Sequence, residues 1–286
     1  MDSVPFAFID SVYHRMTLES IWHSGEVNHK VWQVVSNTHL SKRIDCVLHV
    51  RSQPQPGSVK IMIMLLNYTE HKYITPEDFL QNLFRFGRIT KICYAHELQS
   101  TLPGTGRLIE DSLNIFTLLK PYLCGAISYV HSRSERHPEA SSIFDKLDFW
   151  KLPFQQLQFN NLERYGVLEW HLENNECLKK VELEKGKVSY LLALNSHYRR
   201  QIEWKCKYPR SLKDALDQWK STPESCDFCL QIQCYLHEFQ RVVGEMIEAQ
   251  AIELYTQEDY KYYALKHPNS EATFAVSIFD WSRWIN

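Results

Sequence analysis

The sequence predicts an α/β protein in which short strands alternate with helices and most strands run parallel. Three observations support this fold class. β-Rich apolar runs recur along the chain, segments with helical spacing separate them, and the 286 residues are 44% hydrophobic and 23% charged. That balance is typical of a globular protein, and a chain of this length buries a core large enough to fold without disulfides or metal. Because helical segments lie between successive strands, the strands are expected to pair in parallel.

The strands share one spacing, in which an apolar residue is followed three and five positions later by two more. Four segments meet this pattern in full: Ile89-x-x-Ile92-x-Tyr94, Cys124-x-x-Ile127-x-Tyr129, Phe154-x-x-Leu157-x-Phe159 and Leu178-x-x-Val181-x-Leu183. Two weaker segments, Ile202-x-Trp204 and Leu230-x-Ile232, have Arg199 and Asp227 at the first position. Central residues Ile92, Ile127, Leu157, Val181, Ile202 and Leu230 are 35, 30, 24, 21 and 28 residues apart.

These intervals are close to the lengths of leucine-rich repeat units. The sequence therefore predicts an irregular leucine-rich-repeat-like solenoid of strand-helix units, with its strands along the concave side. The alternative is a non-repetitive α/β domain, because any such domain yields a few matches to the same spacing.

Two elements are predicted before the repeats. Residues 46–50 and 59–64 are β-rich and flank a loop with Pro54, Pro56 and Gly57, which predicts a hairpin. In the segment 75–78 a capping threonine precedes a proline and two acids, which predicts a helix through about Phe86.

Helical spacing also marks three later segments. Their apolar positions are Leu113, Phe116 and Leu119; Leu212, Ala215, Leu216 and Trp219; and Phe239, Val242, Val243, Met246, Ile247 and Ala251. The last segment is followed by β-rich residues 260–265 and 273–279. A C-terminal helix and a closing hairpin are therefore expected to cap the solenoid.

Charge and motif content exclude several function classes. A net charge of -2 provides no basic field for nucleic acid, and the basic residues within 199–210 are interpreted as a charged outer strand. The segment 104–107, Gly-Thr-Gly-Arg, lacks the ending of a phosphate-binding loop. Hydrolase, metalloprotease and kinase signatures are absent from the sequence. We therefore predict a protein that is not an enzyme, needs no cofactor and does not bind nucleic acid.

Membrane and secretory signals are also missing from the sequence. The longest strongly apolar run, residues 61–66, is far shorter than the roughly 20 residues of a membrane helix. No basic segment precedes an apolar stretch at the N-terminus. These features predict a cytoplasmic or nuclear protein with reduced cysteines and no membrane partner.

One cluster has the residue types of a metal site. Cys226, Cys229, Cys234 and His237 are four soft ligands within twelve positions, so a zinc-dependent enzyme or nucleic-acid binder is one alternative. The same stretch is predicted to be a strand, however, and alternation would place Cys229 and Cys234 on opposite faces. The preferred interpretation is that these cysteines are buried and inert.

The N-terminal segment carries a different signal, because a proline precedes apolar residues with helical spacing. Its predicted partner-binding face consists of Val4, Pro5, Phe8, Ile9, Val12 and Met16. Such a face must pack against something, either a partner protein or the sheet of this chain.

The opening residues 1–12, Met-Asp-Ser-Val-Pro-Phe-Ala-Phe-Ile-Asp-Ser-Val, resemble the start of a large nematode group of F-box-like and F-box-associated proteins. Val4-Pro5 lies where an F-box has Leu-Pro, and Trp32 is similar to its late tryptophan. Residues 172–183 and 211–219 resemble the repeat units of that group. The resemblance implies an F-box-like segment over residues 1–40 and a leucine-rich-repeat-like domain over 41–286.

This resemblance implies a substrate-recognition adaptor of a cullin-type ubiquitin ligase. Its F-box-like face would bind a Skp1-like adaptor, and its repeats would hold a target protein. The alternative is a non-catalytic binding scaffold of the same fold without a ligase link. In that case the N-terminal helix caps the sheet.

Overall fold

The structure is a computed structural model of the chain that describes residues 5–16, 18–24, 29–52, 58–66, 72–83, 85–96, 107–132, 149–159, 165–210, 212–222 and 226–280. The chain divides into two compact units, Met1–Phe154 and Gln155–Asn286. Each unit combines helices with a sheet of parallel and antiparallel strands, so the predicted α/β class is confirmed. Among the described residues no helix is long and apolar enough to cross a membrane.

The first unit contains three N-terminal helices followed by a sheet and two further helices. Its helices are α1 (Phe6–Arg15), α2 (Leu18–Ser24), α3 (Lys30–Lys42), α4 (Pro76–Asn82) and α5 (Ile109–Leu119), with short 3-10 turns at Lys120–Tyr122 and Phe149–Lys151. Its strands are β1 (Ile44–Ser52), β2 (Ser58–Leu65), β3 (Lys72–Ile74), β4 (Gly87–His96), β5 (Arg107–Leu108) and β6 (Leu123–Ser132). The strand order is β6-β4-β1-β2-β3, and β5 pairs with β2.

The predicted hairpin is confirmed by the antiparallel pairing of β1 with β2, in which Cys46 lies opposite Leu65 and Val50 opposite Ile61. On its other side β1 pairs in parallel with β4, which in turn pairs in parallel with β6. Consecutive residues Cys46, Val47 and Leu48 are all buried, as expected for a central strand covered on both faces.

The predicted helix after Thr75 is confirmed at its start and wrong at its end. The Thr75 hydroxyl accepts a hydrogen bond from the Asp78 amide at 3.1 Å, which caps α4. The helix ends at Asn82 rather than near Phe86, because the Gly87 amide donates to the Leu83 carbonyl at 2.8 Å and the chain turns into β4. A side chain at Gly87 would meet the buried Phe79 ring at 2.5 Å, so this turn depends on glycine.

The second unit continues the alternation of strands and helices. Its helices are α6 (Tyr165–Asn174), α7 (Val188–Tyr198), α8 (Leu212–Ser221) and α9 (Leu236–Glu248). Its strands are β7 (Gln156–Phe159), β8 (Lys180–Lys187), β9 (Glu203–Arg210), β10 (Phe228–Cys234), β11 (Ile252–Gln257), β12 (Tyr260–Lys266) and β13 (Thr273–Asp280). The strand order is β7-β8-β9-β10-β13-β12-β11, with parallel pairs from β7 to β13.

The strand spacing predicted from the sequence marks buried positions in this sheet. Leu157 pairs with Val181, Val181 with Trp204 and Trp204 with Leu230, and all four side chains are fully buried. The central residue of β9 is therefore Trp204, and the assignment of Ile202 was wrong. The corrected positions 157, 181, 204 and 230 lie 24, 23 and 26 residues apart, which is more regular than the predicted series.

The break at Arg199 has a local cause. Arg199 is the C-cap of α7 and adopts a left-handed conformation with a φ of 50°, and its amide donates to the Asn195 carbonyl. The residue belongs to a helix end, so no apolar side chain is required there.

The C-terminal cap has one strand more than predicted. The closing hairpin of β12 and β13 is confirmed, with Tyr263 opposite Val276. Strand β11 was missed, and all six of its residues are exposed. It pairs with β12 and lies at the edge of the described sheet, outside the hydrophobic core.

Candidate protein-binding surface on the N-terminal helices

Helices α1, α2 and α3 surround a small core of their own. Ile9, Tyr13, Ile21 and Val35 are buried in it, and Met16, Trp32 and Leu40 pack partly buried against it. The Tyr13 hydroxyl accepts a hydrogen bond from Ser24 Oγ at 2.9 Å, which links α1 to α2. The three helices therefore form one packed assembly rather than separate surface segments.

Two buried arginines attach the C-terminal end of α1 to the sheet of the first unit. Arg43, just before β1, donates to the Met16 carbonyl and to the Asp45 carboxylate. Arg88, in β4, donates to the His14 carbonyl at 2.9 Å. The last carbonyls of a helix have no hydrogen-bond partner within the helix. The guanidinium groups donate hydrogen bonds to them, and their positive charge stabilises the negative end of the helix dipole.

Burial lowers the pKa of Arg88 to about 10, while the nearby groups, including Asp10, act in the opposite direction. The side chain is therefore still protonated at neutral pH. A buried cation of this kind is tolerated because it is hydrogen-bonded to carbonyls on several sides.

The structure distributes the predicted partner-binding face between surface and core. Val4 lies outside the described residues, Pro5 and Phe8 are exposed, and Val12 and Met16 are partly buried. Ile9 is only 1% exposed and belongs to the helical core, so it does not take part in a surface in this conformation.

The N-terminal helices nevertheless expose several large apolar side chains. The exposed residues are Phe6, Phe8, Trp22, Val31 and Val34. Phe8 is 55% and Trp22 is 68% exposed, although both are aromatic side chains that usually dominate cores and interfaces. These side chains lie on α1, α2 and α3, and exposed apolar side chains that form a contiguous patch often mark a protein-protein contact. The sequence signalled Phe8, whereas Trp22 had no signal beyond its residue type.

The cysteine cluster considered as a zinc site is not brought together. Burial alternates along β10 as the sequence predicts, with Cys229 exposed and Cys234 buried. The expectation that the cysteines of this cluster are buried is therefore wrong for Cys229, and Cys226 is only partly buried. Cys226 accepts a hydrogen bond from Asn195 Nδ2 at 3.2 Å, and the His237 side chain is 78% exposed. In the described part of the chain, these four residues do not form a cluster with metal-ligand spacing.

The basic stretch within 199–210 contacts groups of the second unit. Arg200 donates to the Asn175 carbonyl at 2.7 Å, at the C-terminal end of α6. Lys205 lies 3.3 Å from the Glu182 carboxylate, and Trp204 is buried. The buried Trp204 agrees with the interpretation of a charged strand with a core aromatic. The expectation of an outer strand is wrong, because β9 pairs with β8 on one side and with β10 on the other.

Two buried thiols should make the free energy of unfolding fall as the pH rises above about 9. Burial raises the pKa of Cys46 and of Cys234 from an ordinary value of 9.0 to about 12. Between about pH 9 and 12 the unfolded thiol loses its proton while the folded one keeps it. The free energy of unfolding is therefore expected to fall by up to about 1.4 kcal/mol per pH unit for each thiol.

Urea unfolding at pH 8, 9 and 10 measures this effect. Cys46→Ala and Cys234→Ala should each reduce the loss of stability between pH 9 and 10 by about 1 kcal/mol. An unchanged slope in both variants would show that these thiols ionise equally in the folded and unfolded chain.

One polar cluster on the N-terminal helices was missed by sequence reasoning. His39 Nε2 lies 2.8 Å from Asp10 Oδ1, and His14 Nε2 lies 3.4 Å from Asp10 Oδ2. The two imidazole rings meet edge to face, with 4.5 Å between their centroids. The i, i+4 spacing of Asp10 and His14 was a visible signal, but His39 joins them only through the packing of α3 on α1.

Comparison with models of known protein families, with curated proteins and with solved structures found no match.

Proposed function

We propose that this chain is a non-enzymatic protein-protein interaction module, and specifically a substrate-recognition adaptor of a cullin-type ubiquitin ligase. In this proposal α1, α2 and α3 bind a Skp1-like adaptor, and the repeat-like strands and helices hold a target protein. The observation that carries the proposal is the exposure of Phe8 and Trp22 on a helical assembly that has its own buried core. Exposed aromatic side chains are frequent anchors of protein interfaces.

We further propose that the strand-helix units form an irregular leucine-rich-repeat-like solenoid. Strands β7, β8, β9 and β10 are neighbours in chain order and pair in parallel. Buried residues recur in register at intervals of 24, 23 and 26 residues, at positions 157, 181, 204 and 230. Stacked units of this length support a binding surface for an extended partner.

The binding scaffold without a ligase link remains the second candidate. It is favoured by the attachment of α1 to the sheet through Arg43 and Arg88 and by the burial of Ile9. In that case the helices act as an N-terminal cap, and the exposed aromatics contact another partner or none. The zinc-dependent alternative at residues 226–237 gains no support, because Cys229 and Cys234 lie on opposite faces of β10.

Binding to a purified Skp1-like adaptor, measured by calorimetry, separates the two candidates. The unmodified chain is expected to form a one-to-one complex, and Phe8→Asp combined with Trp22→Asp should weaken it about 30-fold or more. Leu118→Asp is the matched control, because Leu118 is an equally exposed apolar residue of a helix in the same unit.

Circular dichroism on each variant verifies that the fold is kept. No binding by the unmodified chain, or equal binding by the double variant, would overturn the ligase proposal and leave the scaffold in its place.

A further inference from the structure

We propose that Asp10, His14 and His39 form a binding site for a divalent transition-metal ion of the Zn²⁺ class, which links α1 to α3. The three side chains each offer one ligand atom, and these atoms all lie within 4.8 Å of one another. This inference does not rest on the proposed ligase function, because it concerns side chains other than the exposed aromatics.

The distances are close to those of a metal site. Zn²⁺ bonds of about 2.1 Å to nitrogen and oxygen place tetrahedral ligands about 3.4 Å apart. The separation of 3.4 Å between His14 Nε2 and Asp10 Oδ2 already has this value. His39 Nε2 lies 2.8 Å from the other oxygen, Asp10 Oδ1, in a direct hydrogen bond that must open by about half an ångström to admit the ion. The three ligand atoms, all within 4.8 Å of one another, must also close around the ion.

The ligand types select the class of ion. Two imidazoles and one carboxylate suit Zn²⁺ and other first-row transition metals, whereas Ca²⁺ and Mg²⁺ prefer oxygen ligands throughout. A set of three protein ligands leaves a fourth position for water or for a group of a partner.

The three side chains differ in exposure, and the two more exposed ones give an ion access to the site. The side chain of His39 is 2% exposed, whereas those of Asp10 and His14 are each 22% exposed. His39 is thus fixed inside the helical assembly, and the ion reaches it from the side of Asp10 and His14.

Phe86, in the turn before β4, packs against both histidines. Its ring centroid lies 6.4 Å from that of His14 and 5.9 Å from that of His39. The Lys42 ammonium lies over the same Phe86 ring, 5.6 Å from its centroid, and Arg88 interacts with Asp10 electrostatically. The Phe86 ring therefore restricts the orientation of both imidazoles.

Without an ion, Asp10 bridges the two histidines through one hydrogen bond and one longer contact. This arrangement orders the imidazoles before binding. Because Asp10 and His14 lie on α1 and His39 on α3, a bound ion adds a cross-link between the two helices. Such a cross-link stabilises the folded chain by a free energy that grows with the logarithm of the ratio of ion concentration to dissociation constant.

Titration of chelator-treated full-length protein with Zn²⁺ alone, followed by calorimetry, tests the proposal. Co²⁺ serves as a spectroscopic probe, because nitrogen and oxygen ligation in tetrahedral geometry gives intense visible bands. We expect one ion per chain and a higher melting temperature with Zn²⁺. Asp10→Asn and His14→Ala should weaken Zn²⁺ binding by at least the roughly 10- to 100-fold that loss of a supporting partner costs in metal sites.

Controls localise the ion and guard against misfolding. His237→Ala removes a largely exposed histidine and Cys229→Ser an exposed thiol, and both should bind Zn²⁺ as the unmodified chain does. Asp10→Asn keeps the size of the side chain and an acceptor for His39, and its far-ultraviolet circular dichroism should match that of the unmodified chain. Absence of Zn²⁺ and Co²⁺ binding, undiminished binding in Asp10→Asn and His14→Ala, or loss of binding in Cys229→Ser would each overturn the proposal.

Discussion

Ile9→Asp is expected to destabilise the chain by about 4 kcal/mol or more, whereas Phe8→Asp at the adjacent position should change its stability by no more than about 0.5 kcal/mol. Ile9 is 1% exposed and contacts the core of the three N-terminal helices, while Phe8 is 55% exposed. An aspartate at position 9 loses the burial of the isoleucine and places a carboxylate among apolar side chains without a partner. At position 8 the carboxylate stays in water.

Urea denaturation of the two variants and the unmodified chain, followed by circular dichroism, measures the difference. A strong loss of stability in Phe8→Asp would show that this side chain packs inside the protein. It would also remove the exposed surface on which the proposed interaction depends. Equal, small effects of both substitutions would contradict the helical core itself.

Leu183→Ala is expected to lower the free energy of unfolding by about 2–5 kcal/mol, through lost burial and the cavity that remains. Leu183 is fully buried in β8, where it pairs with Phe159 of β7 and Cys206 of β9. Close-packed neighbours on both sides limit the collapse that could fill the cavity.

Leu254→Ala is the matched control, because it makes the same chemical change in the same unit on the exposed edge strand β11, where Leu254 is 60% exposed. Its effect should stay within about 0.5 kcal/mol. Urea midpoints and slopes of both variants, measured side by side, decide the outcome. Similar losses in the two variants would mean that β8 is not a core strand.

Much of the fold could be predicted because it depends on short-range periodicity. The apolar residues at three- and five-residue spacing mark buried strand positions, and the structure buries Leu157, Val181 and Leu183 as expected. Helices α8 and α9 follow from helical spacing in the same way. The prediction fails where helical spacing continues into a segment that forms a turn. Helix α4 ends at Asn82 for this reason, because the following residues turn into β4 at Gly87.

The candidate surface could be predicted only in part. Spacing identified the apolar positions of α1, but one turn of helix presents residues to both the core and the surface. Whether Phe8 or Ile9 is buried depends on the direction from which α2 and α3 pack, which no local pattern records. The cysteine cluster shows the opposite case, because strand alternation alone separates Cys229 from Cys234.

The sequence by itself determined the α/β class, the hairpins and most core positions, because each follows from the period at which apolar side chains recur along a few residues. The tertiary structure decided which side chains meet across the fold. Arg43 reaches the end of α1 from the end of α3 and Arg88 reaches it from β4, while His39 meets Asp10 from a position 29 residues away. Such contacts arise when whole helices and strands pack together. The spacing of residues along the chain does not show which distant elements will pack against each other.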